Sequence, residues 1–200
     1  LRSAWCFVWL AAGLLSSALI GSGSVSAAPA FRGGVLEPAH PAPDFALTAS
    51  DGSTFRLRDQ RGRVLVLVFG YTFCPDVCPL TLSEMVLVRE ALGSRASRVQ
   101  VVFITIDPER DTAERLRTYV GAFDRRFVGL TGDPEVLARV RRAYGVVAEK
   151  RTVAGTKAAY LIDHTAFVYV VDPEGRLRLM FPFGTSTEDM AHDLRILLGG

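Results

Sequence analysis

Two cysteines lie four positions apart in the segment Gly70-Tyr71-Thr72-Phe73-Cys74-Pro75-Asp76-Val77-Cys78-Pro79. If the chain is already turning into helix at Pro75, Cys74 and Cys78 are i and i+4 neighbours with Cβ atoms about 5–6 Å apart. Such a pair closes a disulfide with little backbone motion, since bridged Cα atoms lie about 4.4–6.8 Å apart. It equally places two sulfurs on one metal ion. A helix N-terminus lowers thiol pKa, which favours the thiolate that both reactions need. The plain alternative is a structural disulfide or a pair of inert buried thiols. A bridge this short closes a small loop and removes little unfolded-state entropy, which argues against a stapling role.

Two thiolates alone leave a metal under-coordinated, so the three histidines matter. His40 sits in a proline-rich stretch and reads as a solvated residue. His192, in the segment DMAHDL, reads as a surface or half-buried helix residue. His164 differs: it follows Ile162-Asp163 and stands directly before an apolar strand, whose mouth can face the cysteine segment. Asp163 is a candidate to orient the imidazole from behind. Met85, Met180 and Met190 read as packing, and Cys6 as small apolar filler. Cys74, Cys78 and His164 form the candidate metal set, and Cys74 with Cys78 the candidate redox disulfide. Three such ligands fall one short of structural zinc. Soft thiolates select copper(I), an ion that accepts three ligands. The same sulfurs pair when copper leaves, so metal transfer and thiol redox are coupled.

These residues need a scaffold. Residues 64–69, VLVLVF, and 99–106, VQVVFITI, are continuous apolar runs of the kind buried on both faces of a sheet. Alternation on either side of Asp51-Gly52 predicts an N-terminal hairpin. A helix is expected from Pro79 to the glycine at 93. Others are expected near 112–123, opened by a capping box of Asp111 and Glu114, and from Asp133-Pro134 to Gly145. Residues 146–160 show no period. Strands at 166–171 and 176–181 flank the turn Asp172-Pro173-Glu174-Gly175, and Thr185 with Glu188 caps a last helix. Strands alternating with helices imply an α/β sheet covered on both faces, with the cysteines at the carboxyl end of a central strand, the rim where such sheets bind ligands.

The chain has 200 residues, 49% hydrophobic and 22% charged, which excludes a disordered chain, a collagen or a coiled coil. With 23 basic against 21 acidic residues the net charge is +2, so nothing points to nucleic acid as a partner. Three cysteines exclude a disulfide scaffold. Residues 1–30 combine an early Arg2, the apolar run AWCFVWLAAGLLSSALI and small residues beyond it. A cleaved export signal and a retained membrane anchor both fit that pattern, and either way residues 31–200 are expected to be exported. Residues 31–43, rich in proline and glycine, read as an extended linker to a domain at 44–200.

Taken together, GYTFCPDVCP, ITIDPERDT and DHTAFVYVVDPEG resemble the Sco/SenC family of copper proteins, over about residues 45–198. The resemblance implies a thioredoxin-like fold: a central mixed sheet flanked by helices. It implies one copper ion, Cu(I) or Cu(II), at Cys74, Cys78 and His164, and a role as a metallochaperone rather than an enzyme. The partner would be the apo copper A subunit of cytochrome c oxidase, with a thiol reductant and another copper donor as further partners. It also implies a membrane tether facing the periplasm or intermembrane space, which leans the N-terminal segment towards an uncleaved helix. Thioredoxins differ in having two residues between their cysteines. Peroxiredoxins need a threonine three positions before the reactive cysteine, where this chain has Tyr71 and Pro75, so peroxidase activity is not expected. The alternative to copper delivery is an exported thiol–disulfide reductase acting on the oxidase's copper-site cysteines. His164 separates the two, since a reductase has no need of it.

Overall fold

The computed structural model describes residues 30–152 and 160–199. In chain order the elements are β1 (Gly34–Pro41), β2 (Ala46–Ala49), β3 (Thr54–Arg56), β4 (Val64–Gly70), α1 (Val77–Leu92), β5 (Val99–Thr105), α2 (Ala113–Gly121), β6 (Val128–Thr131), α3 (Pro134–Ala143), β7 (Ala148–Thr152), β8 (Tyr160–His164), β9 (Phe167–Val171), β10 (Arg176–Pro182) and α4 (Thr187–Leu197). Eight strands form a mixed sheet in the order β1-β10-β9-β4-β5-β6-β2-β3, while β7 and β8 pair separately. The leader expected at 1–30, Cys6 included, lies outside the described residues up to position 29. Among the described residues no helix is long and apolar enough to cross a membrane.

The two apolar runs become the central strands. Every residue of β4 and of β5 is buried, which requires cover on both faces of the sheet. They pair in parallel from Val64 opposite Val99 to Gly70 opposite Thr105. β9 flanks β4 on its other side in the antiparallel sense. The carboxyl end of β4 therefore lies beside the amino end of β9, and the chain arriving at β9 comes from His164. The hairpin around Asp51-Gly52 is β2–β3, with Gly52 at φ +87 and the Ser53 amide donating to the Asp51 carboxylate.

Residues 31–43 are not a free linker. Within them β1 pairs with β10, from Gly34 opposite Met180 to Pro41 opposite Arg176. Prolines are compatible with this because β1 is an edge strand, where a missing N–H costs no ladder bond on the open side. The turn before β1 is held by buried Asp193, which accepts from the Arg32 amide at 2.9 Å and the Gly33 amide at 2.8 Å.

Three helix starts differ from expectation. α1 begins at Val77, which places Pro79 in its first turn. α2 is capped by Thr112, whose hydroxyl accepts from the Arg115 amide, and Asp111 is buried inside the fold instead. α4 is capped by Ser186 rather than Thr185, through the Asp189 amide. The stretch without period holds β7 and β8, whose register runs from Ala148 opposite His164 to Thr152 opposite Tyr160.

Candidate metal centre

β4 delivers the chain to the rim and Gly70 ends it. A Cβ at Gly70 would stand 2.7 Å from the Cys78 sulfur and 2.8 Å from the Phe103 ring, so only glycine leaves room for that sulfur. Tyr71 is buried, and its hydroxyl accepts from the Ile162 amide at 3.1 Å, tying β8 to the cysteine loop. A turn then brings the Cys74 amide to the Tyr71 carbonyl at 3.2 Å.

Cys74 thus lies before the first turn of α1 and Cys78 inside it, not on one helical face. The Asp76 carboxylate makes no cap bond. In its place the Cys74 sulfur, half-buried, accepts from the Cys78 amide at 3.4 Å. Its pKa is lowered to about 4, chiefly by the hydrogen bond from the Cys78 thiol and then by His164 and the backbone amides of Asp76 and Cys78, against the opposing effect of burial. Cys78, fully buried, is pushed upward because its proton bonds the neighbouring sulfur and burial disfavours its charge. The reduced pair is therefore one thiolate and one thiol at neutral pH.

His164 reaches them as the last residue of β8. Its Nε2 lies 3.6 Å from the Cys78 sulfur, and its Nδ1 lies 2.9 Å from the Thr165 carbonyl. A carbonyl only accepts, so Nδ1 carries a proton and the Nε2 edge of the ring faces the sulfurs. One ligand atom from each of Cys74, Cys78 and His164 lies within 4.8 Å of the others. Among the described residues no fourth histidine, cysteine or carboxylate joins them. A soft set of two sulfurs and one imidazole nitrogen suits a three-coordinate soft ion better than zinc. A cleft of about 290 Å³, lined by Tyr71, Cys74, Asp76, Arg151 and His164 among others, opens onto the centre.

Asp163 does not orient the imidazole: its carboxylate is exposed and pairs with Arg151 at 3.0 Å, while the Thr165 carbonyl holds the ring. Side chains alternate along a strand, so the neighbour of a ligand in β8 points away from it. His40 is exposed on β1, and His192 bonds Asp193 at 2.9 Å; neither joins the centre. Met85 and Met190 are core residues, and Met180 packs partly buried against the core. Sequence reasoning passed over the packing role of Gly70 and the Thr165 carbonyl, neither of which carries a sequence signal, and it read Asp111, the second aspartate of a D-P-x-x-D motif, as a helix cap.

A mixed sheet flanked by helices, with paired cysteines on the loop after its central strand, defines a thioredoxin-like protein, here with a histidine brought to the sulfurs by a separate hairpin. The chain belongs to the SCO1/SenC family, whose model matches residues 34–199. A SCO2-like protein of Rickettsia conorii is 33% identical over 152 residues, 76% of this chain and 74% of that protein. The human mitochondrial SCO1 homolog is 39% identical over 136 residues, 66% of this chain but 44% of the human protein. Among solved structures, Bradyrhizobium japonicum ScoI with copper bound is 37% identical with a TM-score of 0.71, covering 78% of this chain and 98% of that one.

Proposed function

We propose that the chain binds one copper ion through the sulfurs of Cys74 and Cys78 and Nε2 of His164, and hands it to the apo copper A subunit of cytochrome c oxidase. The observation that carries this reading is the convergence of two sulfurs and an imidazole nitrogen on one rim. The copper held by a relative of the same fold supports it. Cys74, already a thiolate and facing the cleft, makes the first bond to incoming copper. Cys78 gives up its proton as the second bond forms, and His164 completes the set through Nε2. Release follows by ligand exchange, recipient thiolates replacing Cys74 first because it is the more accessible sulfur. The work takes place outside the cytoplasm, with residues 1–30 as anchor or leader, and with another copper donor upstream.

A second reading rests on the same pair. An acidic, accessible Cys74 beside a buried Cys78 thiol is the arrangement of attacking and resolving cysteines. Cys74 would attack a disulfide in the oxidase copper site. Cys78 would then displace the second partner sulfur, leaving the partner as a dithiol and this pair as a disulfide for an external thiol reductant to restore. His164→Ala separates the readings. Copper affinity should fall, most for Cu(II), which depends more on nitrogen donors, while disulfide exchange should survive. Unchanged copper binding in a titration of that variant overturns the copper centre. Lost exchange with intact copper binding puts the reductase first.

A further inference from the structure

Asp107 and Asp111 are each 0% exposed, and neither belongs to the metal set or caps a helix. A buried carboxylate is costly unless its oxygens are well bonded, so each is explained by what it holds. Asp111 faces the cysteine loop. Its Oδ2 accepts from the Thr72 amide at 3.0 Å and the Thr105 hydroxyl at 2.7 Å, and its Oδ1 from the Thr72 hydroxyl at 2.6 Å. Asp107 faces the hairpin. It accepts from the Tyr160 hydroxyl at 2.7 Å and forms an ion pair with Arg110. Arg110 in turn donates to the Tyr160 carbonyl at 3.0 Å, and its guanidinium lies 3.7 Å from the Tyr160 ring centre and 4.6 Å from that of Phe73. In the same turn Glu109 pairs with Lys150 of β7 at 2.7 Å.

The hairpin needs such ties. Among the described residues β7–β8 is a two-stranded sheet with no ladder to the main one, and a two-stranded hairpin is marginally stable by itself. Tyr160 and His164 stand at opposite ends of β8, about 13 Å apart at roughly 3.3 Å per residue. The Tyr71–Ile162 bond holds the middle of β8, and without the ties at Tyr160 the hairpin can pivot about that bond and carry the imidazole off the sulfurs. We propose that the turn at 107–111, which supplies no ligand, is the bracket that sets the distance between the His164 nitrogen and the cysteine sulfurs: Asp107 and Arg110 hold the hairpin, Asp111 holds the loop. Arg110, Asp107 and Tyr160 are thus positioning residues, and His164 stands ready before copper arrives. This inference rests on the copper reading of the centre.

The test is the double variant Arg110→Gln, Tyr160→Phe, which leaves the buried carboxylates and all three donors in place. Amide hydrogen exchange is followed by NMR in the reduced, metal-free chain. Exchange in β7 and β8 should rise about tenfold or more, since the variant loses the Arg110 bonds to Asp107 and to the Tyr160 carbonyl and the Tyr160 hydroxyl bond to Asp107, and one charge-assisted bond alone is worth about that factor, while β4 and β5 exchange at the wild-type rate. The copper(II) form should lose nitrogen coupling in its electron paramagnetic resonance spectrum, and formation of the Cys74–Cys78 disulfide should proceed as before. Tyr160→Phe alone, which keeps the ring, should give a smaller rise of the same pattern. Unchanged exchange in the hairpin, or an equal rise in β4 and β5, overturns the bracket. A wild-type chain that takes up no copper overturns the copper reading, and the exchange rates then still decide the bracket independently.

Discussion

At the centre the two cysteines differ in kind, and the difference is set by where each sulfur sits. Cys74 caps the first turn of α1 through its sulfur and takes a proton bond from Cys78, so its pKa falls to about 4. A lowered pKa means that thiolate is present at every pH above that value, whereas an ordinary thiol, near pH 8.5, is protonated at pH 6. Iodoacetamide should therefore modify the reduced, metal-free protein at Cys74 alone at pH 6. Cys78→Ala should move the onset of that reaction to higher pH, because it removes the hydrogen bond that lowers the Cys74 pKa most. Peptide mapping after timed quenching reads both, and equal labelling of the two cysteines at pH 6 contradicts the assignment. Gly70 carries a second prediction. Gly70→Ala puts a methyl 2.7 Å from the Cys78 sulfur. It should cost about 1–3 kcal/mol by overpacking and lower copper affinity as well, because the sulfur must move. Denaturation alongside a copper titration separates the two effects.

Elements differ in how plainly their residues announce them. β4 and β5 are legible because burial on both faces demands unbroken apolar runs, and the strand–cysteine–helix order follows directly. β7 is illegible for the opposite reason. Its residues are Ala-Glu-Lys-Arg-Thr and four of the five are exposed, so no apolar period marks it. His164 stands out by its residue type, but the hairpin that carries it does not. β1 was hidden by its prolines, which an edge strand tolerates. Asp111 looks like a cap because aspartate before a helical run usually is one. Here Thr112 takes that place and Asp111 turns inward to Thr72 and Thr105. The two roles have different magnitudes. Thr112→Ala should cost about 1 kcal/mol, the worth of an N-cap. Asp111→Ala should cost more, since it strands the buried Thr105 hydroxyl at about 1–3 kcal/mol and leaves the half-buried Thr72 amide and hydroxyl without their acceptor. Urea denaturation of the two variants ranks them, and the reverse order would return Asp111 to a capping role.

Across the whole molecule, the strand senses and registers fix where β1 stands relative to the metal centre. β4 runs towards that rim, β9 away from it, β10 towards it and β1 away from it again. Gly34 pairs with Met180, Met180 with Tyr169 and Tyr169 with Leu67, so β1 begins level with the middle of β4, three strand spacings away, or about 14 Å at roughly 4.8 Å per strand. What fixes the chain there is Asp193 of α4, whose oxygens accept from the amides of Arg32 and Gly33 and from the His192 ring, supported by Arg32 pairing with Asp189 at 2.9 Å. These bonds join residues 32 and 33 to α4, so the clamp and the metal centre are separable. Asp193→Ala leaves two amides without their acceptor, and β1, an edge strand bonded on one side only, is the element that depends on them. Amide exchange and limited proteolysis should both increase within residues 31–41. The reduced variant should still take one copper ion with wild-type affinity. The measurement is hydrogen exchange by mass spectrometry on the full chain, beside a copper titration of the same sample. Protected residues 31–41 in the variant would mean that the β1–β10 ladder alone holds the start of the chain. Weakened copper binding would mean that the clamp and the rim are coupled through β10 and β9.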